Sequence, residues 1–163
     1  MRVVVKEFLN KYASAQYKHG IYIPEDILLK CMALEFKSPS KIIELPDNIL
    51  EVIESNKKEA ENKDALYEEI SSHRLAGYEK EKDDIEGAIY EFAKSIEIGE
   101  TTAMFYAYAH SYERIIILLH KIKDYQREMR YISQYLSHDI GDKQKDKFQK
   151  RLEKLNSKYG QIL

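Results

Sequence analysis

Two stretches of the chain, 40 residues apart, carry the same order of apolar and polar positions. Each contains an apolar pair, then an Asp followed by an apolar residue, then an apolar stripe at spacings of three and four. The positions are Leu75, Ala76, Asp84, Ile85, Ile89, Phe92 and Ile96 in the first copy, and Ile115, Ile116, Asp124, Tyr125, Met129, Ile132 and Leu136 in the second. Such stripes predict amphipathic helices, and the fixed period predicts stacked helical hairpins that bury their apolar faces together.

The predicted turns between these helices carry capping residues. Asp84 and Asp124 each precede a returning helix, where an Asp side chain accepts hydrogen bonds from free backbone N–H groups. Gly99 is expected to end the first returning helix as a C-cap, and Thr101 or Thr102 is expected to cap the next helix. Residues 62–137 are therefore predicted to form two antiparallel hairpins.

Shorter helical patterns flank the repeat. Near the N-terminus, Val5, Phe8, Leu9 and Tyr12 have helical spacing. Residues 142–159 carry one apolar stripe on an otherwise charged helix, which suits a capping helix at the end of an array. No strand pattern competes. We expect an all-α fold with an N-terminal helical part, two hairpins and a C-terminal capping helix.

A polar stretch separates the N-terminal part from the repeat. Residues 54–64 contain one weakly apolar residue, Ala60, so they form either a linker or a solvated continuation of the preceding helix. A linker there divides the chain into an N-terminal helical region, 1–60, and a repeat domain, 61–163. A continuous helix is compatible with a single domain.

Composition narrows the class of protein. A single cysteine, Cys31, excludes an internal disulfide and a Cys-rich zinc site. The thirteen tyrosines are expected to bury their rings and keep their hydroxyls at the rim of the core. The apolar run near the N-terminus is interrupted at Lys6, and no apolar stretch approaches the roughly 20 residues of a membrane span. We expect a cytoplasmic protein without a signal peptide.

Charge is unevenly distributed although the net charge is only −2. Residues 61–100 contain five Lys and Arg against twelve Asp and Glu, whereas residues 101–163 contain twelve against seven. An acidic middle followed by a basic end can steer partners or support head-to-tail self-association. More often, such a charge pattern reflects solvated helix faces.

The segment LAGYEKEKDDIEGAIYEFAKSI, residues 75–96, resembles a tetratricopeptide repeat. In that family, small residues lie where the paired helices touch, as Ala76, Ala88 and Ser95 would here. Large residues fill the space between helices, a role that Leu75, Ile89, Phe92 and Ile96 would take. The second copy has Ile116, Glu128 and Tyr135 at the small positions, which implies a wider hairpin. Its 40-residue period also exceeds the family's usual 34.

The resemblance implies a function. In the family, the first helix of each hairpin lines a concave surface that commonly binds peptides or extended protein segments. The corresponding positions in this chain are Ile70, His73, Gly77, Lys80, Glu81, His110, Glu113, Ile117, His120 and Lys121. We therefore expect a non-enzymatic scaffold that binds a protein, a peptide or itself, without a cofactor. The alternative is that the N-terminal helices cover this face or that it is merely solvated.

Candidate chemistry is sparse. His110 and Glu113 lie three residues apart, and His73 could approach them from the neighbouring hairpin, giving two imidazoles and a carboxylate for metal binding or acid–base chemistry. The spacing matches no zinc-protease motif, and the chain has no Gly-rich phosphate loop or GxSxG elbow. We therefore expect no catalytic or metal site.

The alternative function is a regulatory protein that contacts nucleic acid through its C-terminal helix. That helix contains seven basic residues, which could contact phosphates: Lys143, Lys145, Lys147, Lys150, Arg151, Lys154 and Lys158. The lysines are spread around the helix rather than lined on one face, and a charge run is usually a solvated face. Nucleic acid is thus the less favoured partner.

Overall fold

In the computed structural model, seven α-helices make up most of residues 1–160, the part of the chain that the structure describes. They are α1 (Val5–Tyr12), α2 (Glu25–Lys37), α3 (Ile49–Lys80), α4 (Ile85–Gly99), α5 (Phe105–Lys121), α6 (Tyr125–Leu136) and α7 (Asp142–Tyr159). A 3₁₀ helix spans Ala15–Gly20, and two three-residue strands are β1 (Arg2–Val4) and β2 (Ile42–Glu44). The all-α prediction is confirmed.

The chain is divided into two compact units. The first comprises Met1–Asp64, and the second starts at Ala65. Residues 54–64 lie inside α3, so they are helical and do not form a loop. This segment carries one weakly apolar side chain, so its helix is solvated there. No helix among residues 1–160 combines the length and apolar character needed to cross a bilayer.

The first unit has its own core. It is formed by Val5, Phe8, Leu9, Tyr12, Tyr22, Ile23, Cys31, Ile43, Leu45, Ile49 and Ile53. The strands pair antiparallel with Val3 opposite Ile43, and this pairing brings Ile43 into the core. The sequence pattern missed both strands because three residues are too few to show an alternation.

In the second unit, successive helices from α4 onwards pack antiparallel. Between α4 and α5, the buried hydroxyls of Ser95 and Ser111 lie 2.9 Å apart and hydrogen-bond. Tyr135 of α6 donates to Glu113 of α5 at 2.9 Å. Phe148 of α7 packs edge-on against Tyr135, with the ring centroids 5.0 Å apart.

Alternate helices of this unit lie side by side and run parallel. The Arg74 guanidinium of α3 donates to the backbone carbonyl of Ala107 on α5 at 2.8 Å. The Arg114 guanidinium of α5 donates to the carboxylate of Glu81, just beyond the end of α3, at 2.7 Å. Both contacts join residues 33 apart in sequence, so the two helices advance in the same direction.

The capping predictions are partly confirmed. Asp84 accepts from the Gly87 N–H at 2.8 Å, and Asp124 accepts from the Arg127 N–H at 3.1 Å. Gly99 is instead the last residue of α4, and a Cβ there would lie 2.3 Å from the Tyr108 ring. The prediction for the threonines is wrong, because the N-cap of α5 is Met104.

Candidate partner-binding surface

The face of α3 that was predicted to be exposed packs against the core of the second unit. Ile70 and Gly77 are buried in the core of the second unit and cannot contact a partner, so their assignment to the binding surface is wrong. Gly77 lies against Phe92, where a Cβ would approach the ring to 2.8 Å. Leu75, predicted to be a core residue, is 57% exposed.

His73 and Lys80 both face α4 because they bind one carboxylate. The Nδ1 atom of His73 and the Nζ atom of Lys80 lie 2.7 and 2.8 Å from the two carboxylate oxygens of Glu91. The hydrogen bond from Lys80, followed by that from His73, holds the pKa of Glu91 below its usual value. These two predicted surface residues hold the first hairpin together.

Three further predicted residues join neighbouring helices. Glu81 is bound to Arg114, and Glu113 accepts hydrogen bonds from Tyr135 and from the Gln144 amide of α7. His120 lies with its Nδ1 atom 2.9 Å from the buried carboxylate of Glu128. Such contacts fix the relative positions of α5, α6 and α7 and leave these side chains only partly available to a ligand.

The remaining residues of the predicted binding surface lie on the exposed side of α5. His110 has 68% of its side chain exposed, Lys121 is exposed and Ile117 is half-buried. Tyr106, which was not predicted, precedes them at the same helical spacing and is also exposed. The spacing of four, seven and four residues from Tyr106 to Lys121 could have identified this stripe.

Helix α3 adds two side chains beside this stripe. An α-helix turns by 100° per residue, so the residues of α3 can be ordered around its circumference. The side with His73 faces α4, and the next side, with Arg74 and Glu81, faces α5. Tyr78 and then Leu75 follow on the side beyond that. Leu75 is 57% exposed, and Tyr78 is 40% exposed with its ring packed edge-on against Phe92 of α4. We call Leu75, Tyr78, Tyr106, His110, Ile117 and Lys121 the α3–α5 face.

Five lysines share one side of α7, contrary to the expectation that they are spread around it. This lysine stripe recurs every three or four residues and comprises Lys143, Lys147, Lys150, Lys154 and Lys158. Arg151 departs from it and binds the buried carboxylate of Glu128 at 2.7 Å.

The lysine stripe lies on the α5 side of α7. Gln144 contacts Glu113 of α5, and Arg151 contacts Glu128 of α6. These two residues form the edge of the packed side of α7 that is nearest the lysines. Tyr159 stacks on Tyr125 of α6 at 4.1 Å and belongs to the opposite edge. The lysine stripe therefore adjoins the exposed side of α5, next to the α3–α5 face.

Two tyrosines on the buried side of α5, Tyr108 and Tyr112, are structural. Burial raises the pKa of Tyr108 to about 12. Burial, followed by the hydrogen bond to Glu100, raises the pKa of Tyr112 still further. Tyr112 donates to Glu100, as the sequence predicted for rings buried with their hydroxyls at the rim. Neither hydroxyl is suited to acid–base chemistry near neutral pH.

The histidines do not assemble a metal site. His73 is bound to Glu91, while His110 lies 3.9 Å from the Glu113 carboxylate. Within residues 1–160, no group of three or more His, Cys, Asp or Glu side chains is arranged to hold a metal ion. A cavity of about 550 Å³ near the turn between α5 and α6 contains none of the predicted site residues. Its Arg127 is already bound to Asp124 at 2.6 Å.

Comparisons with known proteins provide no family for this chain. No family model, curated protein or solved structure matches it. The resemblance of residues 62–137 to tetratricopeptide repeats therefore remains a prediction, and function has to be argued from the surface itself.

Proposed function

We propose that the second unit is a non-enzymatic, tetratricopeptide-repeat-like interaction module that binds an extended acidic segment of another protein. The observation that carries this proposal is the side-by-side, parallel arrangement of α3 and α5, which turns the α3–α5 face into one surface beside the lysine stripe. The proposed location is the cytoplasm, where an unpaired cysteine such as Cys31 is common.

Apolar and aromatic side chains would supply the anchoring contacts. Tyr78, Tyr106 and Leu75 are exposed, and aromatic residues are enriched at protein interfaces because they bury a large area with few rotatable bonds. Their positions on two adjacent helices suit a partner that runs across the helices.

Charge would select the partner. The lysine stripe presents five cations, of which Lys150 is paired with Asp146 at 2.9 Å. His110 and Lys121 of the α3–α5 face add no negative charge. Complementary charge speeds association and disfavours basic partners. An acidic segment with one or two apolar anchors therefore fits this surface best.

One ion pair and two hydrogen bonds around the face would keep it rigid. Glu81 with Arg114, and Glu113 with Tyr135 and Gln144, connect helices on either side of α5. A surface that is already ordered loses less conformational entropy on binding. The predicted residues that make these pairs thus support binding without contacting the partner.

A peptide selection tests the proposal. A random phage-displayed peptide library selected on the whole chain should yield acidic sequences with an apolar anchor. A synthetic peptide of the selected sequence should bind Lys147→Glu/Lys154→Glu and Tyr106→Ser at least about tenfold more weakly in titration calorimetry. The control Lys58→Glu/Lys145→Glu makes the same change of net charge away from the lysine stripe and should bind normally. Selected peptides that bind all variants equally would refute the surface.

Nucleic acid is the second candidate, and the lysine stripe is the observation that favours it. A single basic side of α7 can follow a phosphate backbone. The exposed acids Asp142, Asp146 and Glu153 lie on the same helix, and they repel the closely spaced charges of a phosphate backbone more strongly than a protein segment with a few acidic residues. Binding of a fluorescent DNA duplex at low salt, lost in Lys147→Glu/Lys154→Glu and retained in Lys58→Glu/Lys145→Glu, would favour nucleic acid over a peptide.

A further inference from the structure

Helix α2 of the first unit exposes an apolar stripe. Leu29, Met32 and Phe36 follow one another at spacings of three and four and are 60%, 54% and 92% exposed. Ala33, also exposed, lies beside them, while Cys31 on the other side of the helix is buried in the core. Leaving three large apolar side chains of one helix face in water is unfavourable, and such patches commonly mark interaction sites.

A groove adjoins this stripe. It has a volume of about 380 Å³ and lies between α1 and α2, with Leu9, Ala13, Leu28 and Met32 among its lining residues. Met32 belongs to both the groove and the stripe. A projecting aromatic side chain from another molecule could therefore enter the groove beside Met32, and Phe36 is a side chain of that kind on this same helix.

The charges beside the stripe are placed so that two antiparallel copies of α2 bring opposite charges together. Asp26 in the first turn of α2 and Lys37 in its last turn lie on the same flank of the stripe, with the exposed Lys30 between them. Neither forms an ion pair within residues 1–160. When two copies of one helix pair antiparallel about a two-fold axis, each flank meets the same flank of the other copy. Asp26 of each copy then lies near Lys37 of the other.

We propose that the α2 stripe binds the α2 stripe of a second copy of this chain, forming an antiparallel, two-fold symmetric homodimer. With the axis between Met32 and Ala33, Leu29 lies opposite Phe36 of the second copy, and Met32 lies opposite its Ala33. Each Phe36 is then placed to enter the groove between α1 and α2 of the other copy. A large side chain opposite a small one at the centre allows close approach of the helices.

The opposite orientation is less favourable. Parallel pairing places the acidic first turns, with Glu25 and Asp26, side by side and also aligns the two helix dipoles. Antiparallel pairing replaces both repulsions with attraction. This reasoning concerns only the first unit and does not depend on the proposed peptide-binding function.

The dimer is expected to be weak and reversible. Three apolar side chains and two ion pairs form a smaller interface than the roughly 800 Å² per partner of a stable complex. We therefore expect a dissociation constant on the order of 10–100 µM. The exchange between monomer and dimer should be visible by sedimentation equilibrium between about 5 and about 500 µM protein.

Charge reversal on the full-length chain tests the orientation. Asp26→Lys and Lys37→Asp should each weaken dimerisation, because each replaces the attraction by repulsion between like charges. The double variant Asp26→Lys/Lys37→Asp should restore it. Phe36→Ser should raise the dissociation constant by about tenfold or more. Ile42→Ser removes a comparably exposed apolar side chain from β2 and should leave dimerisation unchanged.

Cross-linking gives a second measurement that traps the dimer even where it is a minor species. Met32→Cys places a thiol close to the two-fold axis and should form a disulfide-linked dimer on mild oxidation, whereas the wild type, with buried Cys31, should not. A monomer at every concentration would overturn the proposal. So would a dimer that Phe36→Ser leaves intact, or single charge reversals that the double variant does not rescue.

Discussion

At the scale of a single residue, Gly77 shows how a position that resembles a solvated surface site can be part of the core. Its neighbours in sequence, Ala76 and Tyr78, are half-buried and 40% exposed, yet Gly77 itself is buried. The Phe92 ring occupies the space where a Cβ would lie, at 2.8 Å. The absence of a side chain therefore allows α3 and α4 to approach each other.

Gly77→Ala should destabilise the second unit even though alanine favours helix formation. The added methyl group has to displace the Phe92 ring, and the cost of overpacking should exceed the gain in helix propensity by about 1–2 kcal/mol. Urea unfolding followed by circular dichroism measures this difference.

Gly160→Ala is the matched control for that prediction. The nearest atom to a Cβ at Gly160 is 3.6 Å away, an ordinary contact distance. The control should be neutral or slightly stabilising, by about 0.4–1 kcal/mol. If Gly77→Ala were as stable as Gly160→Ala, the close packing of Gly77 on Phe92 would be disproved.

At the scale of elements, the second hairpin and α7 are joined through a buried charge. Glu128 of α6 is fully buried, and its carboxylate oxygens bind His120 of α5 and Arg151 of α7. The sequence placed Glu128 where tetratricopeptide repeats prefer a small residue. The long side chain of Glu128 is accommodated because its carboxylate binds two partners on separate helices.

Arg151→Met should destabilise the second unit by about 3–5 kcal/mol, because it leaves the Glu128 carboxylate buried without its strongest partner. Replacing both residues, as in Glu128→Met/Arg151→Met, should recover most of that loss, since no buried charge remains. Lys147→Met on the exposed side of α7 should change stability by less than about 0.5 kcal/mol. Chemical unfolding of the four proteins tests this series, and a double variant no more stable than Arg151→Met would contradict it.

At the scale of the whole molecule, two separate groups of buried residues stabilise the chain. One includes Ile53 and lies within Met1–Asp64, and the other includes Ile132 and lies in the unit that starts at Ala65. Among residues 1–160, no buried residue belongs to both groups. Helix α3 is the element that contributes side chains to each of them.

Ile53→Ala and Ile132→Ala should therefore affect different parts of the chain. Each removes a fully buried side chain and should cost about 2–5 kcal/mol in its own unit. Hydrogen exchange followed by mass spectrometry should show faster exchange in residues 1–48 for the first variant and in residues 85–160 for the second. Acceleration throughout the chain in both variants would show that the two cores unfold as one.

The sequence was most informative where spacing alone carries the signal. The helical stripes of residues 85–160 predicted α4 to α7 with boundaries close to those observed, and Ala88, Ser95, Ile89, Phe92 and Ile96 are buried as predicted. For α3, the alignment of Leu75 with Ile115 predicted the wrong buried face. Both faces of α3 contain apolar residues, and packing against Phe92 and Glu91 decides between them.

The candidate surface was harder to predict than the fold. Five of its ten predicted residues, His73, Lys80, Glu81, Glu113 and His120, bind side chains on neighbouring helices. A sequence shows that these side chains are charged or polar, but their partners lie 8 to 33 residues away and are brought close only by packing. The exposed Tyr106 and the lysine stripe, in contrast, follow a helical spacing that was visible in the sequence.

The spacing of residues along the chain predicts that this protein is helical, where most of its helices begin and end, and that the returning helices are capped by Asp84 and Asp124. These properties depend on neighbours a few residues apart, which the order of amino acids specifies directly. Which side of α3 is buried and which charges pair across helices became visible in the packed fold, as did the exposure of Leu29, Met32 and Phe36 on α2. Those outcomes depend on contacts between distant residues, whose energies are set by how whole helices pack.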